Sequence, residues 1–505
     1  MRRPDLRWLI LVRRPVRSGR RSIVTATCSP TTPAAATQAV TLALELPEAH
    51  FVVGLAHTAI GRPDRAAAAL RQCLGLAPGR ARAALALGNA LIDLDRLREA
   101  EEYLRHAIAR DPTLPEAHAS LGLLLSATGR LDEAIMACDA AIALRPDFAC
   151  AYWNKSVAQL LGGDLAQCWE NYEWRKRHDR FARDFPALLG REWLGESLEG
   201  QTLLVHAEQG LGDTIQFARY LPLLAAQGAA VVLACAAPLI PLLADVPGVA
   251  AVVPKDATLP PYDLWADQMS LPRLFGTRID SIPAALGYLR AAPALIARRT
   301  PPPSRQARVG IVWAGNPAHH NDRRRSLSTA ALAPLLATPG VAWISLQKGP
   351  RSLEITLQHG IPDQSRGLTD FAETAALIAT LDLVIAVDTA TAHLAGALGR
   401  PVWLMLPHAP DWRWLTGRAD SPWYASMTLF RQSCPGGWAG VIDRVAAETV
   451  CPRTGPPPGG RLDLKQPGQS QRSRFRSARA VPPRRAATEP VPHSPSSASR
   501  SSARA

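Results

Sequence analysis

Long apolar runs are missing from this chain. The N-terminal stretch from Trp8 to Val12 is too short for a secretory core or a membrane helix, and no later segment spans a membrane. The chain is therefore expected in the cytoplasm or peripherally at the inner membrane face. Paired cysteines are missing as well. The eight (Cys28, Cys73, Cys138, Cys150, Cys168, Cys235, Cys434 and Cys451) are scattered without a Cys-x-x-Cys spacing, and no histidines cluster at metal-ligand spacing. That removes a zinc site and a disulfide framework, and leaves reduced thiols. The pair Gly210 and Gly212 lacks the third glycine of a dinucleotide fingerprint, and no acid follows at the required distance, which argues against a nicotinamide-dependent oxidoreductase.

Acidic residues are scarce at the two ends. Residues 1–22 carry eight arginines against one aspartate, and residues 452–505 carry ten arginines and one lysine against two acids, so the tails hold +16 and the body is left near −2 of the total +14. A basic groove for specific nucleic-acid binding is not indicated. Residues 1–40 and 451–505 are expected to be disordered, because Pro, Ser, Arg and Gly dominate there and large apolar residues are few.

What is present is a period of 34 residues. Gly54, Gly88 and Gly122 recur at it, as do Ala66, Ala100 and Ala134, and Pro78, Pro112 and Pro146. Gly61 and Gly129 share one position with Asp95 between them, and Gly163 continues that series. Small residues let two antiparallel helices approach closely and proline ends the second, so residues 41–163 resemble a tetratricopeptide-repeat array, an α-solenoid. Residues 164–200, with Trp169, Tyr172, Trp174 and Trp193 in a charged helical stretch, are expected to cap the array and dock it onto the C-terminal half of the chain.

From residue 201 short apolar strands alternate with helices, the pattern of a parallel α/β sheet. Strands are expected at 202–206, 230–234 and 250–253 in a first lobe spanning 201–290. An exposed Pro- and Arg-rich linker comes next, over 291–308. A second lobe over 309–450 is expected to hold strands at 308–313, 342–346, 383–387 and 402–406.

Three clusters could carry chemistry. Gly210-Leu211-Gly212-Asp213 follows the first strand and precedes a helix expected from Thr214 to about Leu224; glycines there permit a tight turn that presents a helix start to a ligand. Asp213 could alternatively be only an N-cap. Arg323, Arg324 and Arg325 crowd one loop, a suitable clamp for a diphosphate or a solvated basic loop. Asp388-Thr389-Ala390-Thr391-Ala392-His393 stands at the carboxyl end of a strand, where open α/β sheets bind ligands, so Asp388, Thr389, Thr391 and His393 could line a nucleotide pocket. Gln347 and Lys348 close another strand on the same edge. Pro407 to Trp423, with Asp411, Trp412, Arg413 and Trp414, reads as an aromatic loop either facing the cleft or packing lobes and array together.

On the glycine-aspartate and Asp-Thr motifs, residues 202–450 resemble the heptosyltransferase-like glycosyltransferases of family 9. The resemblance implies a GT-B fold of two Rossmann-like lobes and metal-independent, inverting transfer from a nucleotide-sugar co-substrate, without a cofactor. It implies Asp213 as general base, Arg324 or Arg325 against the leaving diphosphate, Asp388, Thr389 and His393 on the donor nucleotide, and Gln347 facing the base or ribose. Ala390 stands where the heptosyltransferases usually have glycine, so ADP-heptose is not fixed as the donor. The combination with repeats is also similar to the O-linked N-acetylglucosamine transferases, which implies a protein acceptor along the concave face beside the glycan alternative. A competing expectation is a non-catalytic tetratricopeptide scaffold carrying a degenerate transferase domain.

Overall fold

The 34-residue register becomes four antiparallel helix pairs. The computed structural model describes residues 46–450, apart from 182, 183, 284, 285 and 320, together with the backbone of residues 8–13 and 23–28. The pairs are α1 (Pro47–Ala59) with α2 (Pro63–Leu76), α3 (Ala81–Asp93) with α4 (Leu97–Arg110), α5 (Pro115–Ala127) with α6 (Leu131–Leu144), and α7 (Ala149–Gly162) with α8 (Leu165–Tyr172). The glycines act by close approach. A Cβ added at Gly54, Gly88 or Gly122 would lie 2.5, 2.7 or 2.5 Å from Leu70, Leu104 or Cys138, which are themselves 34 residues apart. Ala66, Ala100 and Ala134 are fully buried beneath them. Proline in the first turn of α1, α2 and α5 starts helices where its missing N–H is not needed.

The tryptophan-rich segment after the array is a wedge. Tyr152 on α7 stacks on Trp174 at 4.0 Å, and Trp153 packs on Phe181 at 4.7 Å. Trp169 on α8 donates its indole N–H to the Thr277 carbonyl in the first lobe (2.8 Å) and meets Trp412 of the second lobe edge-on at 6.2 Å. The last repeat thus touches both lobes.

The first lobe is a five-stranded parallel sheet in the order β3 (Arg191–Glu192), β7 (Leu264–Asp267), β4 (Thr202–His206), β5 (Ala230–Cys235), β6 (Val249–Pro254). The second has the order β12 (Met427–Arg431), β11 (Val402–Leu406), β10 (Leu383–Val387), β8 (Ala307–Val312), β9 (Val341–Ser345), again all parallel. The α-solenoid followed by two Rossmann-like α/β lobes of GT-B type is the architecture expected from the sequence. β3, β7 and β12 were not anticipated. The stretch read as an exposed linker is partly ordered: α10 (Pro293–Arg299) lies against α12 (Phe371–Ala379), with Arg298 2.7 Å and Arg299 2.8 Å from Glu373.

In each sheet the strand order reverses direction at one point, between β4 and β7 in the first and between β8 and β10 in the second. Crevices open at such switch points, at the carboxyl ends of the strands. The loops after β4, β8 and β10 are the ones that carry the three motif clusters.

At the N-terminus, β1 (Trp8–Arg13) and β2 (Ile23–Cys28) pair antiparallel within the segment expected to lack order. The rest of both basic tails lies outside the described residues. Among the described residues no helix is long and apolar enough to cross a membrane, and Cys73, Cys138, Cys150, Cys168, Cys235 and Cys434 are unpaired thiols.

Candidate active site

The helix after β4 starts earlier than expected. It is α9 (Leu211–Phe217), capped by Gly210, so Asp213 occupies its first turn rather than preceding it. Asp213 Oδ2 accepts the Gly210 N–H at 2.8 Å, which satisfies a donor that the helix leaves free. Gly210 therefore spends its N–H inside the protein rather than on a ligand. Gly212 sits at a close helix crossing: a Cβ there would stand 2.8 Å from His393 Cδ2 and 3.4 Å from Ala390 Cα. Its smallness lets α9 pack directly on α13 (Ala390–Ala397) across the lobe boundary.

That contact brings the turn that carries Asp213 against the helix that carries His393. Arg413, from the turn after β11, ties Asp213 to the second lobe. It pairs through Nη2 with Asp213 Oδ1, reaches Asp411 Oδ1 at 2.8 Å through Nη1, and donates Nε–H to Gln216 Oε1 at 2.5 Å. Trp412 flanks its guanidinium at 4.3 Å. One buried cation thus ties carboxylates of both lobes together. The sequence flagged its segment but not this pairing, because Asp213 and Arg413 are 200 residues apart.

On the second lobe, Asp388 follows β10 and Thr389 stands at the N-cap of α13, with Thr391 half-buried on the same turn. The hydroxyl of Thr389 is buried without a hydrogen-bond partner. His393 Nδ1 shares a hydrogen bond of 2.8 Å with the Tyr424 hydroxyl, and its ring stacks on Trp414 at 5.3 Å between centroids. Nε2 lies 3.7 Å from Asp388 Oδ1. Burial, helped by the charge of Arg413, depresses the imidazole to about 3, so His393 is neutral at physiological pH.

Asp388 is shifted the other way. Burial first, and the Asp411 carboxylate second, raise it to about 6 from an ordinary 3.8, against the pull of Arg325. A raised carboxyl pKa stabilises the fold fully below about pH 3.8, and the contribution is lost as pH rises through 6. Asp388→Asn is therefore expected to melt higher than the parent protein at pH 7, with the difference fading below pH 4. Equal melting temperatures at pH 7 would contradict this account of the carboxyl.

The arginine loop divides. Arg325 turns inward: a Cβ on Gly315 would fall 2.5 Å from its Nη2, its side chain is 14% exposed, and its charge bears on Asp388, His393 and His319. Arg324, expected on the diphosphate, turns outward instead. It donates to the Ile92 carbonyl at 2.9 Å and pairs with Asp95 at 2.6 Å on the repeat array. A guanidinium suits helix-terminal carbonyls as well as it suits phosphate, so composition alone did not separate the two.

Gln347 and Lys348 are also corrected. The Gln347 side chain is buried and spent on the backbone: Oε1 accepts from Trp313 N (3.2 Å) and Ala314 N (3.0 Å), and Nε2 donates to the Ala314 and Lys348 carbonyls, each at 3.0 Å. It shapes the loop after β8 and leaves no free edge for a base. The Lys348 ammonium donates to the Ser365 carbonyl at 2.9 Å, on the exposed side.

A second polar cluster, unseen in the sequence, lies at the switch point of the first lobe. His206, Glu208 and Asp267 come together there with the spacing of a metal ligand set. The space between them is served by the chain's own cations. Arg175 reaches Glu208 at 2.8 Å, and Lys176 reaches Asp267 at 3.1 Å. A cavity of about 280 Å³ lies between α8 and residues 273–278, and neither Asp213 nor His393 lines it.

Comparison with known proteins follows the same division. Models of the tetratricopeptide repeat match residues 58–124 and 115–148, and the model of glycosyltransferase family 9 (heptosyltransferase) matches residues 362–405, which include β10 and α13. Protein FlbA of Caulobacter vibrioides is 30% identical over 432 residues, covering 71% of this chain and 71% of its own. Among solved structures, MamA of Desulfovibrio magneticus RS-1 (22% identity, 30% of this chain and 88% of that one, TM-score 0.27) and a tetratricopeptide-repeat protein of Thermus thermophilus (19% identity, 30% and 84%, TM-score 0.28) are similar. The chain belongs to the family of tetratricopeptide-repeat proteins joined to a family 9, heptosyltransferase-like glycosyltransferase domain.

Proposed function

We propose that the protein transfers a sugar from a nucleotide-sugar donor to a hydroxyl acceptor with inversion and without a metal ion. The observation that carries this reading is the packing of the α9 start, with Asp213, against the α13 start, with His393 beside Asp388, and the tie from Asp213 to Arg413 of the second lobe. Asp213 takes the proton of the acceptor hydroxyl as its oxygen attacks the anomeric carbon, and the bond from that carbon to the diphosphate breaks on the opposite face. The charge released onto the diphosphate is met by Arg325 and by the free N–H groups at the start of α13, preorganised before the reaction. The unpartnered hydroxyl of Thr389 is left for the donor.

Arg325 and the start of α13 give the leaving group counter-charge from the chain itself, which supports the metal-independent reading. The array supports a polypeptide acceptor. Its exposed apolar side chains, Leu55 and Leu123 on α1 and α5 among them, suit a polypeptide better than a free glycan.

A thermal-shift screen of nucleotide sugars and free nucleotides tests the reading. A ligand at 100 times its Kd adds about 2.7 kcal/mol to the folded state, a rise of several degrees. At least one nucleotide diphosphate-sugar is expected to produce it. No shift with any of them would favour the scaffold alternative.

A further inference from the structure

The second repeat departs from its neighbours at one position. Gly61, Gly129 and Gly163 close the turns of the first, third and fourth helix pairs with φ of 69°, 77° and 85°, and Asp95 closes the second with φ of 61°. Left-handed backbone favours glycine, so a side chain has been accepted there at some cost in strain. Its carboxylate does not serve its own turn. Asp95 Oδ1 lies 2.6 Å from Arg324 Nε, and Oδ2 lies 3.5 Å from Arg323 Nη2. The two arginines also donate to carbonyls that end α3: Arg324 to Ile92 at 2.9 Å and Arg323 to Asp93 at 2.6 Å.

Arg323 and Arg324 belong to α11 (Asp322–Arg325), a single turn whose last residue is the inward-facing Arg325. The array therefore grips the outer side of the turn whose inner side places the Arg325 charge near Asp388 and His393. The shorter pair is partly exposed, with Asp95 at 38% and Arg324 at 29%, and the longer one has Arg323 at 66%; pairs open to solvent contribute little to stability. Strain accepted for a weakly stabilising contact points to a task other than holding the array together.

We infer that Asp95 is a positioning residue for sugar transfer: by fixing α11 from outside, it sets Arg325 against the donor diphosphate. The inference rests on the transferase reading above. It makes the second repeat part of the donor site without touching the donor.

Asp95→Gly separates this role from a structural one. Glycine suits the turn, so the melting temperature is expected to hold or rise. Affinity for ADP, UDP or GDP, titrated calorimetrically into the full chain, is expected to fall about 2- to 30-fold, as coupling through a packed network allows. Donor KM should rise with it while acceptor KM stays. Asp95→Asn, which also tolerates the left-handed turn, should behave alike, and Asp95→Arg combined with Arg324→Asp should recover part of the affinity. Unchanged nucleotide affinity in Asp95→Gly, with the parent protein binding normally, overturns the inference alone. Failure of the parent protein to bind any of the three overturns the transferase reading and the inference with it.

Discussion

Asp213→Asn is expected to lower the transfer rate by about 100- to 10,000-fold, the usual contribution of a positioned general base, and to leave nucleotide affinity within about twofold, the variation expected of a site that loses no donor contact. Asparagine can still accept the Gly210 N–H through its carbonyl oxygen, so α9 keeps its first-turn hydrogen bond. Arg413 retains Asp411 as a partner at 2.8 Å, so no cation is stranded. What disappears is the group that receives the acceptor proton. Single-turnover rates with calorimetric donor binding separate the two quantities. Comparable rates in both proteins would remove Asp213 from the chemistry and leave it as a helix-capping and lobe-bridging residue.

Arg175→Met is expected to cost about 3–5 kcal/mol of stability, the usual loss when one partner of a buried ion pair is removed. Arg175 and Glu208 are both completely buried. The guanidinium donates to Glu208 at 2.8 and 3.3 Å, to Glu173 at 2.6 Å and to the Ser270 hydroxyl at 2.8 Å. Its removal leaves Glu208 buried without a cation, while Glu173 keeps Lys176 at 3.1 Å. Burial already raises the Glu208 carboxyl, with Arg175 opposing that rise. Without the arginine, Glu208 holds its proton to higher pH, so the deficit should shrink as the solution is acidified. Adding Glu208→Gln should return part of the loss at neutral pH. Denaturant unfolding at pH 7 and pH 5 checks both. A deficit below about 1 kcal/mol, the level of a surface pair, would contradict the account. Arg175 joins the segment after α8 to the first lobe, so its loss should also loosen the attachment of the array.

How much of this was legible in the sequence depended on the range of the interaction. The repeats were readable because each close approach, Gly54 with Leu70 and Gly88 with Leu104, falls within one unit and recurs at a fixed spacing. The central strands β4, β10 and β11 were readable from uninterrupted apolar runs, as buried parallel strands require. β3 has two residues, β7 has four and ends on Asp267, and β12 ends on Arg431; pairing with neighbours, rather than composition, makes them strands.

The polar site was legible only in part. Asp213, Asp388, Thr389 and His393 could be singled out as candidates because local motifs place them in the turns and helix starts that follow strands. Arg175 with Glu208, Arg413 with Asp213, and Asp95 with Arg324 are pairings across 33, 200 and 229 positions, and they leave no local signature. The glycines Gly210 and Gly212 were identified as important for a reason that differs from the observed one. A tight turn for phosphate and a close helix crossing ask for the same missing side chain.

A crystal structure of the protein with a nucleoside diphosphate bound tests the central claim most directly. The phosphates should lie at the start of α13, within hydrogen-bonding distance of Thr389 and beside Arg325, with Asp213 across the crevice. Phosphates bound instead at the Lys176 and Asp267 cluster, or on the repeat array, would contradict it.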